Sequence, residues 1–294
     1  MSLEIMIPKS SLLNIGCGNR FHPAWTNLDF YSDSKEVISW DLRKGVPFSD
    51  SSFEVVYHSH LLEHFPRTAG RGLIQECFRV LKPGGILRVA VPDLERIARH
   101  YLATLERALE GAESGAADHE WMTLELYDQA VRTRPGGEIQ EYLASKNLPN
   151  EAFILERWGN EASSLIDSIR NTVPQPGQSV LKNLIRLFRR LVERPSAVRE
   201  RFVRILLGAD YPLLELGRFR TGGSIHQWMY DRISLAALLG SCGFVETRQC
   251  SATESSVPDW TSYQLDTASD GTVYKPDSLF MEGRKSALQM PVPR

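Results

Sequence analysis

Two glycines and a carboxylate are the first residues in this chain whose spacing could do chemistry. Gly16 and Gly18 stand in Asn14-Ile15-Gly16-Cys17-Gly18-Asn19-Arg20, and Asp29 closes Trp25-Thr26-Asn27-Leu28-Asp29. Glycines let a backbone turn tightly beside a ligand, and an acid ending the next strand is placed to hold the two hydroxyls of a ribose. The spacing speaks against a dinucleotide: Phe21 takes the place of a third glycine, and Asp29 comes well short of the roughly 20 residues of NAD sites. Imidazoles form a second set. His58, His60 and His64 crowd one short loop, and His226 follows Gly222-Gly223-Ser224-Ile225. An imidazole beside a hydroxyl can take the proton that the hydroxyl sheds as it attacks. Three histidines in a loop invite a metal, but the loop has no thiol and no metal is expected. Cys17, Cys77, Cys242 and Cys250 lack metal-ligand spacing and are expected as free thiols in a reducing cytoplasm.

Positioning these groups takes a sheet. The apolar residues Ile5, Ile7, Leu12, Leu13 and Ile15 predict a first buried strand feeding the glycine turn, and Asn27-Leu28 predicts a second. Glu36 to Leu42 predicts a third, carrying Asp41, and Phe53 to Tyr57 a fourth, running into His58. Leu73, Ile74, Cys77, Phe78 and Leu81 recur at helical spacing until Lys82-Pro83-Gly84-Gly85 stops the helix. Ile86 to Val91 then predicts a fifth strand, with Asp93 just past its carboxyl end, in the crevice where open parallel sheets bind ligands; capping a following helix is the alternative for Asp93. Asp231 is expected to cap a helix over Arg232 to Cys242, and Phe244 to Thr247 and Ser278 to Gly283 predict a closing antiparallel pair.

Between these parts, residues 96–222 predict an α-helical insertion over the crevice. Ile97, Tyr101, Leu105 and Leu109 form one stripe, Trp121, Leu124, Leu126 and Tyr127 mark a second helix, and Phe153 to Ile169 a third. Residues 181–207 hold eight basic residues against two acids, a net +6, so a chain of net charge −2 carries −8 elsewhere. The first half of that stretch, 181–193, predicts a basic amphipathic helix. Three uses stay open: a solvated face packed on the domain, peripheral contact with an anionic membrane, or a clamp for an anionic acceptor. Nucleic acid is disfavoured, because stacking aromatics are nearly absent and the net charge offers no bulk attraction.

Length sets the frame: 294 residues suffice for one large domain or one domain with an insertion. No run approaches the roughly 18 apolar residues of a membrane span. With Glu4 and a ligand loop so close to the N-terminus, no secretory leader is expected, and a cytoplasmic protein is.

The Asn14–Arg20 turn, the Pro47-Phe48-Ser49-Asp50-Ser51-Ser52-Phe53-Glu54-Val55-Val56 segment and Val80-Leu81-Lys82-Pro83-Gly84-Gly85-Ile86-Leu87 together resemble the class I, seven-strand S-adenosyl-L-methionine (SAM) dependent methyltransferases. The resemblance covers residues 3–95 and 224–286 and leaves the insertion unmatched; Asn14 replaces the family's acid and Arg20 its last glycine. It implies an α/β, Rossmann-like, doubly wound seven-strand sheet, mostly parallel with its last strand antiparallel, and a helical insertion after strand 5. Residues 1–95 and 223–294 would form the SAM-binding core, and 96–222 a lid and acceptor-binding region. SAM is the implied cofactor, held by Asn14, Gly16, Cys17, Gly18 and Asp29, with His58 in the loop at its methionine end. Asp41 would accept from the adenine amine and Leu42 pack on the ring, unless Asp41 merely caps a turn. The Leu62-Glu63-His64 segment resembles one that opens a helix in the family. The loop His226-Gln227-Trp228-Met229-Tyr230-Asp231 and the ending with Leu265-Asp266-Thr267, Asp270-Gly271 and Lys275-Pro276-Asp277-Ser278-Leu279 resemble a bacterial subgroup linked to polysaccharide and secondary-metabolite loci. The expected reaction is O-methylation of a sugar or similar hydroxylated acceptor, with His226 or His60 as base and Asp93 orienting the acceptor. Methylation of a small secondary metabolite, a SAM-binding subunit without activity, and other sulfonium chemistry are the alternatives.

Overall fold

The computed structural model describes residues 5–145, 147–171 and 195–287. Seven strands form one sheet: β1 (Leu12–Ile15), β2 (Thr26–Asp29), β3 (Val37–Ser39), β4 (Phe53–Ser59), β5 (Leu81–Pro92), β6 (Phe244–Cys250) and β7 (Ser278–Lys285). Their spatial order is β3-β2-β1-β4-β5-β7-β6. The first five run parallel, and β7 runs antiparallel to both β5 and β6. This is the doubly wound seven-strand architecture that the sequence implies.

The first strand is shorter than its apolar run suggested. Ile5 and Ile7 are 67% and 93% exposed and stand outside the ladder. Pro8 follows them and brings no backbone donor, and the Ser10 hydroxyl accepts from Leu12 N, so pairing starts only at Leu12. The interior strands are buried on both faces, as parallel strands covered by helices must be. On one face α1 (Arg67–Val80) and α9 (Arg232–Ser241) lay Leu73, Ile74, Cys77, Leu235 and Leu239 against Leu13, Val56 and Val89. On the other, Trp25 and Tyr57 meet Trp260 edge to face at 6.1 and 5.0 Å. The chain passes from α1 straight into β5 at Leu81, and within β5 Gly85 stands where a side chain cannot fit: a Cβ would stand 2.9 Å from Lys82 O and 3.0 Å from Glu54 O.

Among the described residues, seven α-helices follow β5 before α9: α2 (Leu94–Leu109), α3 (Gly115–Val131), α4 (Gly137–Leu143), α5 (Glu151–Trp158), α6 (Asn160–Asn171), α7 (Pro195–Leu207) and α8 (Tyr211–Thr221). The first five share a core of their own around Ile97, Trp121, Met122, Leu143, Ile154 and Trp158. In α2 the predicted stripe holds only at its start, since Leu109 is 74% exposed. The helix expected over Phe153 to Ile169 is two helices, broken at Gly159. That residue has φ +58°, and a Cβ there would meet Pro276 Cδ at 2.7 Å, so only glycine lets the helices seat against the loop before β7. The predicted basic helix 181–193 lies outside the described residues. Farther along, α7 leaves Phe202, Ile205 and Leu206 exposed beside Arg201 and Arg204. Among the described residues no helix is long and apolar enough to cross a membrane.

Candidate active site

The glycine turn sits at the carboxyl end of β1, with φ +65° at Gly16 and +50° at Gly18. Space above Gly18 is open, whereas a Cβ on Gly16 would stand 2.8 Å from the Leu61 side chain. Asp29, at the end of β2, accepts from Gly18 N at 2.7 Å through one oxygen and from Tyr31 N at 3.3 Å through the other. Its carboxylate is therefore fixed in direction and keeps lone pairs for ribose hydroxyls. Asn14 is buried; its amide donates to Arg20 O and Asn27 Oδ1, and its Oδ1 has no partner. The Cys17 thiol is pushed up to about 12, chiefly by burial, and is not a nucleophile. Arg20, where the family has glycine, donates to the carbonyls of Gln264 and Thr267 and lies 4.1 Å over the Tyr274 ring.

Two acids serve as caps. Asp41 accepts from Arg43 N at the start of a 3-10 turn (Leu42–Lys44) and is gripped by the Arg43 guanidinium, so the turn-capping alternative is what the structure shows. Leu42 packs on the edge of the core. Asp93 caps α2 by accepting from Arg96 N at 3.2 Å, and burial raises its pKa. Phe30 and Tyr31, which sequence reasoning passed over, lie beside Asp29 at 67% and 70% exposed, two rings at the edge of the open turn.

Beyond β4 the histidines gather around one acid. Glu63 is fully buried in a 3-10 turn (Leu62–His64) that precedes α1, and neither of its oxygens is hydrogen-bonded. His60 Nδ1 comes within 3.3 Å of Glu63 Oε1 and His226 Nε2 within 4.0 Å. His60 has φ +49°, a left-handed conformation that for a residue other than glycine marks strain held in place by its surroundings. Its Nε2 meets Ser278 Oγ at 2.8 Å. His58 lies buried on β4 with neither ring nitrogen paired. His226 comes from far along the chain because hydrogen bonds tie its loop to this turn and to α3. Gln227 N donates to Glu63 O at 2.7 Å, Gln227 Nε2 to His64 O at 2.9 Å, and His226 N to Gln129 O at 2.9 Å. Burial alone would raise the Glu63 pKa, but the neighbouring His60, with His226 and His64, overcomes it and holds Glu63 down to about 2. Burial lowers His226 to about 3 and His58 to about 4, so at neutral pH these two imidazoles are neutral beside the carboxylate.

This cluster forms the floor of a cavity of about 340 Å³ whose far wall is helical, with Glu125, Gln129, Arg132 and Trp158, and whose side carries Lys275 and Asp277. His60 and His226 both line it, and Asp93 does not. Asp93 serves as the cap of α2; the acid lining the cavity is Asp277, buried and with its pKa raised by burial. Sequence reasoning missed Glu63 and Asp277 as site residues. Only the adjacency of Glu63 to His64 hinted at the first.

Residues 27–89 match the family model described as a methyltransferase domain. No curated protein matches the chain. Among solved structures it is similar to a SAM-dependent methyltransferase from Archaeoglobus fulgidus at 10% identity, covering 96% of this chain and 88% of that one with a TM-score of 0.35. It is also similar to an S-adenosylmethionine-dependent methyltransferase from Mesorhizobium loti at 13% identity, covering 97% and 94% with a TM-score of 0.34.

Proposed function

We propose that this chain is a SAM-dependent methyltransferase acting on a hydroxyl of a sugar or similar small molecule held in the cavity under the helical layer. One observation carries the reading: the glycine turn and the segment that carries the cavity's His60 and Glu63 are neighbours at the carboxyl ends of β1 and β4. Ile15 and His58 are register partners, and Gly16 packs against Leu61, between His60 and Glu63.

The residues present fit the cofactor. Asp29 offers a fixed carboxylate for a ribose, the space over Gly18 admits a ligand, and the orphaned Asn14 Oδ1 lies at the same strand end. Phe30, next to Asp29, and Leu42, after β3, are the apolar groups offered to the adenine. Bound SAM would supply a methyl already activated on a sulfonium. The chain's task is then to bring the acceptor oxygen in line with that methyl, and positioning of this kind can supply roughly 7–11 kcal/mol. His226 and His60 face the cavity as the groups that take the hydroxyl proton, with the Glu63 charge behind them to stabilise the imidazolium.

Labelled SAM incubated with the protein and extract of its own cell tests this. The expected result is label in a glycan or small-metabolite fraction, falling by roughly 10²- to 10⁴-fold in a His60→Gln/His226→Gln double variant. Undiminished turnover in that variant removes the histidine assignment. S-adenosylhomocysteine bound with no fraction labelled would instead make the chain a SAM-binding subunit, and failure to bind it would end the reading.

A further inference from the structure

We infer that Glu63, His64 and His226 bind one divalent first-row transition-metal cation, and that this cation holds and acidifies the acceptor hydroxyl. The cation's role toward the acceptor rests on the methyl-transfer reading; the site itself does not.

The donor atoms of Glu63, His64 and His226 all lie within 4.8 Å of one another. Bonds of about 2.0–2.2 Å to a shared ion would set them about 3–3.5 Å apart. The 4.0 Å between His226 Nε2 and Glu63 Oε1 therefore has to close by less than about 1 Å, a small side-chain rotation. Glu63 supplies the independent sign. It is a fully buried carboxylate lining the cavity whose oxygens make no hydrogen bond of good geometry, His60 Nδ1 standing 3.3 Å from Oε1, and a cation among its neighbours would compensate that burial.

Tautomer follows from geometry at His64. Its Nδ1 lies 3.0 Å from Ile225 O, a carbonyl that can only accept, so Nδ1 carries the proton and Nε2 keeps its lone pair. A ligating histidine whose other nitrogen donates to a main-chain carbonyl is the usual outer-shell arrangement. Two imidazoles and one carboxylate on one side, with the cavity on the other, leave open positions for a substrate oxygen. That donor set suits manganese-to-zinc cations better than magnesium or calcium, which want oxygen alone.

The roles of the two cavity histidines then separate. His226 binds the cation, and His60 remains to receive the proton from the cation-bound hydroxyl. As the O–C bond to the methyl forms, the C–S bond breaks and the sulfur keeps the pair as a neutral thioether.

The test titrates metal-stripped full-length protein with Co²⁺ by visible absorption and with Mn²⁺ by paramagnetic resonance, without SAM or acceptor. One saturable equivalent is expected, weakened by more than about 100-fold in His226→Gln and in His64→Gln, since loss of a mere outer-shell partner costs up to that. Glu63→Gln should behave alike; should it fail to fold, the two histidine variants, checked by thermal unfolding, carry the result. No saturable binding, or binding unchanged in His226→Gln, overturns the site. S-adenosylhomocysteine calorimetry run alongside separates the failures. Homocysteine-adduct binding without Co²⁺ binding removes the cation and leaves the methyl-transfer reading, and the reverse removes that reading while the cation site stands.

Discussion

Two carboxylate centres lie buried near the middle of the sheet, and they are solved in opposite ways. On the Trp260 face, Arg88 of β5 donates to Asp266 Oδ2 at 2.9 Å, Glu282 Oε1 at 2.9 Å, Glu254 O at 3.0 Å and Ser251 O at 2.8 Å, and stacks 4.4 Å from the Trp260 ring. Tyr57 OH donates to the second Asp266 oxygen, and Ser256 N and Arg248 donate to the second Glu282 oxygen. All four carboxylate oxygens have donors. At the cavity, Glu63 is as deeply buried and makes no hydrogen bond of good geometry, its nearest polar neighbour being His60 Nδ1 at 3.3 Å. A saturated network locks one arrangement; an unsaturated one waits for something. The first binds the 251–267 segment to the sheet, and the second is where chemistry is expected.

The largest expected effect breaks the saturated centre. Arg88→Met leaves Asp266 and Glu282 buried without their shared cation and should cost about 3–5 kcal/mol, read as a lower urea midpoint with an unchanged slope. Glu63→Gln should show the reverse signature. Its stability should fall by clearly less than that of Arg88→Met, since no hydrogen bond of good geometry is lost, while turnover falls by roughly 10²-fold or more. A comparable loss of stability in both variants would erase the contrast between the centres.

Acid sharpens the same comparison. His58, beside Glu63, has a folded pKa of about 4 against an ordinary 6.5. Below 6.5 the unfolded chain takes a proton that the folded chain refuses, so stability is whole above that pH and drains as pH falls towards 4, by up to ~1.4 kcal/mol per pH unit. His58→Leu should flatten the fall in melting temperature between pH 6.5 and 5 by about one proton's worth. The smallest effect belongs to a feature outside both centres: Asp231→Ala removes the cap that accepts from Ser234 N at 2.7 Å and should cost about 1 kcal/mol.

What the sequence made legible was whatever lies contiguous in it. The glycine turn, Asp29 and the Asp231 cap each depend on neighbours a few residues away, and each appears where expected; the helix before Lys82-Pro83-Gly84-Gly85 ends at Val80, and β5 begins at Leu81 rather than Ile86. Acids at strand ends were ambiguous for a physical reason. A carboxylate there can cap the next turn or face a ligand, and Asp41 and Asp93 do the former. Glu63 was hidden because its partner His226 is brought in by main-chain bonds, which leave no mark in residue type. The break at Gly159 was equally invisible, since it depends on Pro276, far along the chain.

Arg20 has a consequence for how divisible this molecule is. It spans from the turn after β1 to carbonyls of residues 264 and 267, and the sheet's own Arg88 finds both its acids beyond residue 250. The glycine-turn half excised after β5 would thus carry two guanidinium groups stripped of their acceptors, one of them in its interior. The part of the sequence that looks most like a transplantable module is the part least able to live alone.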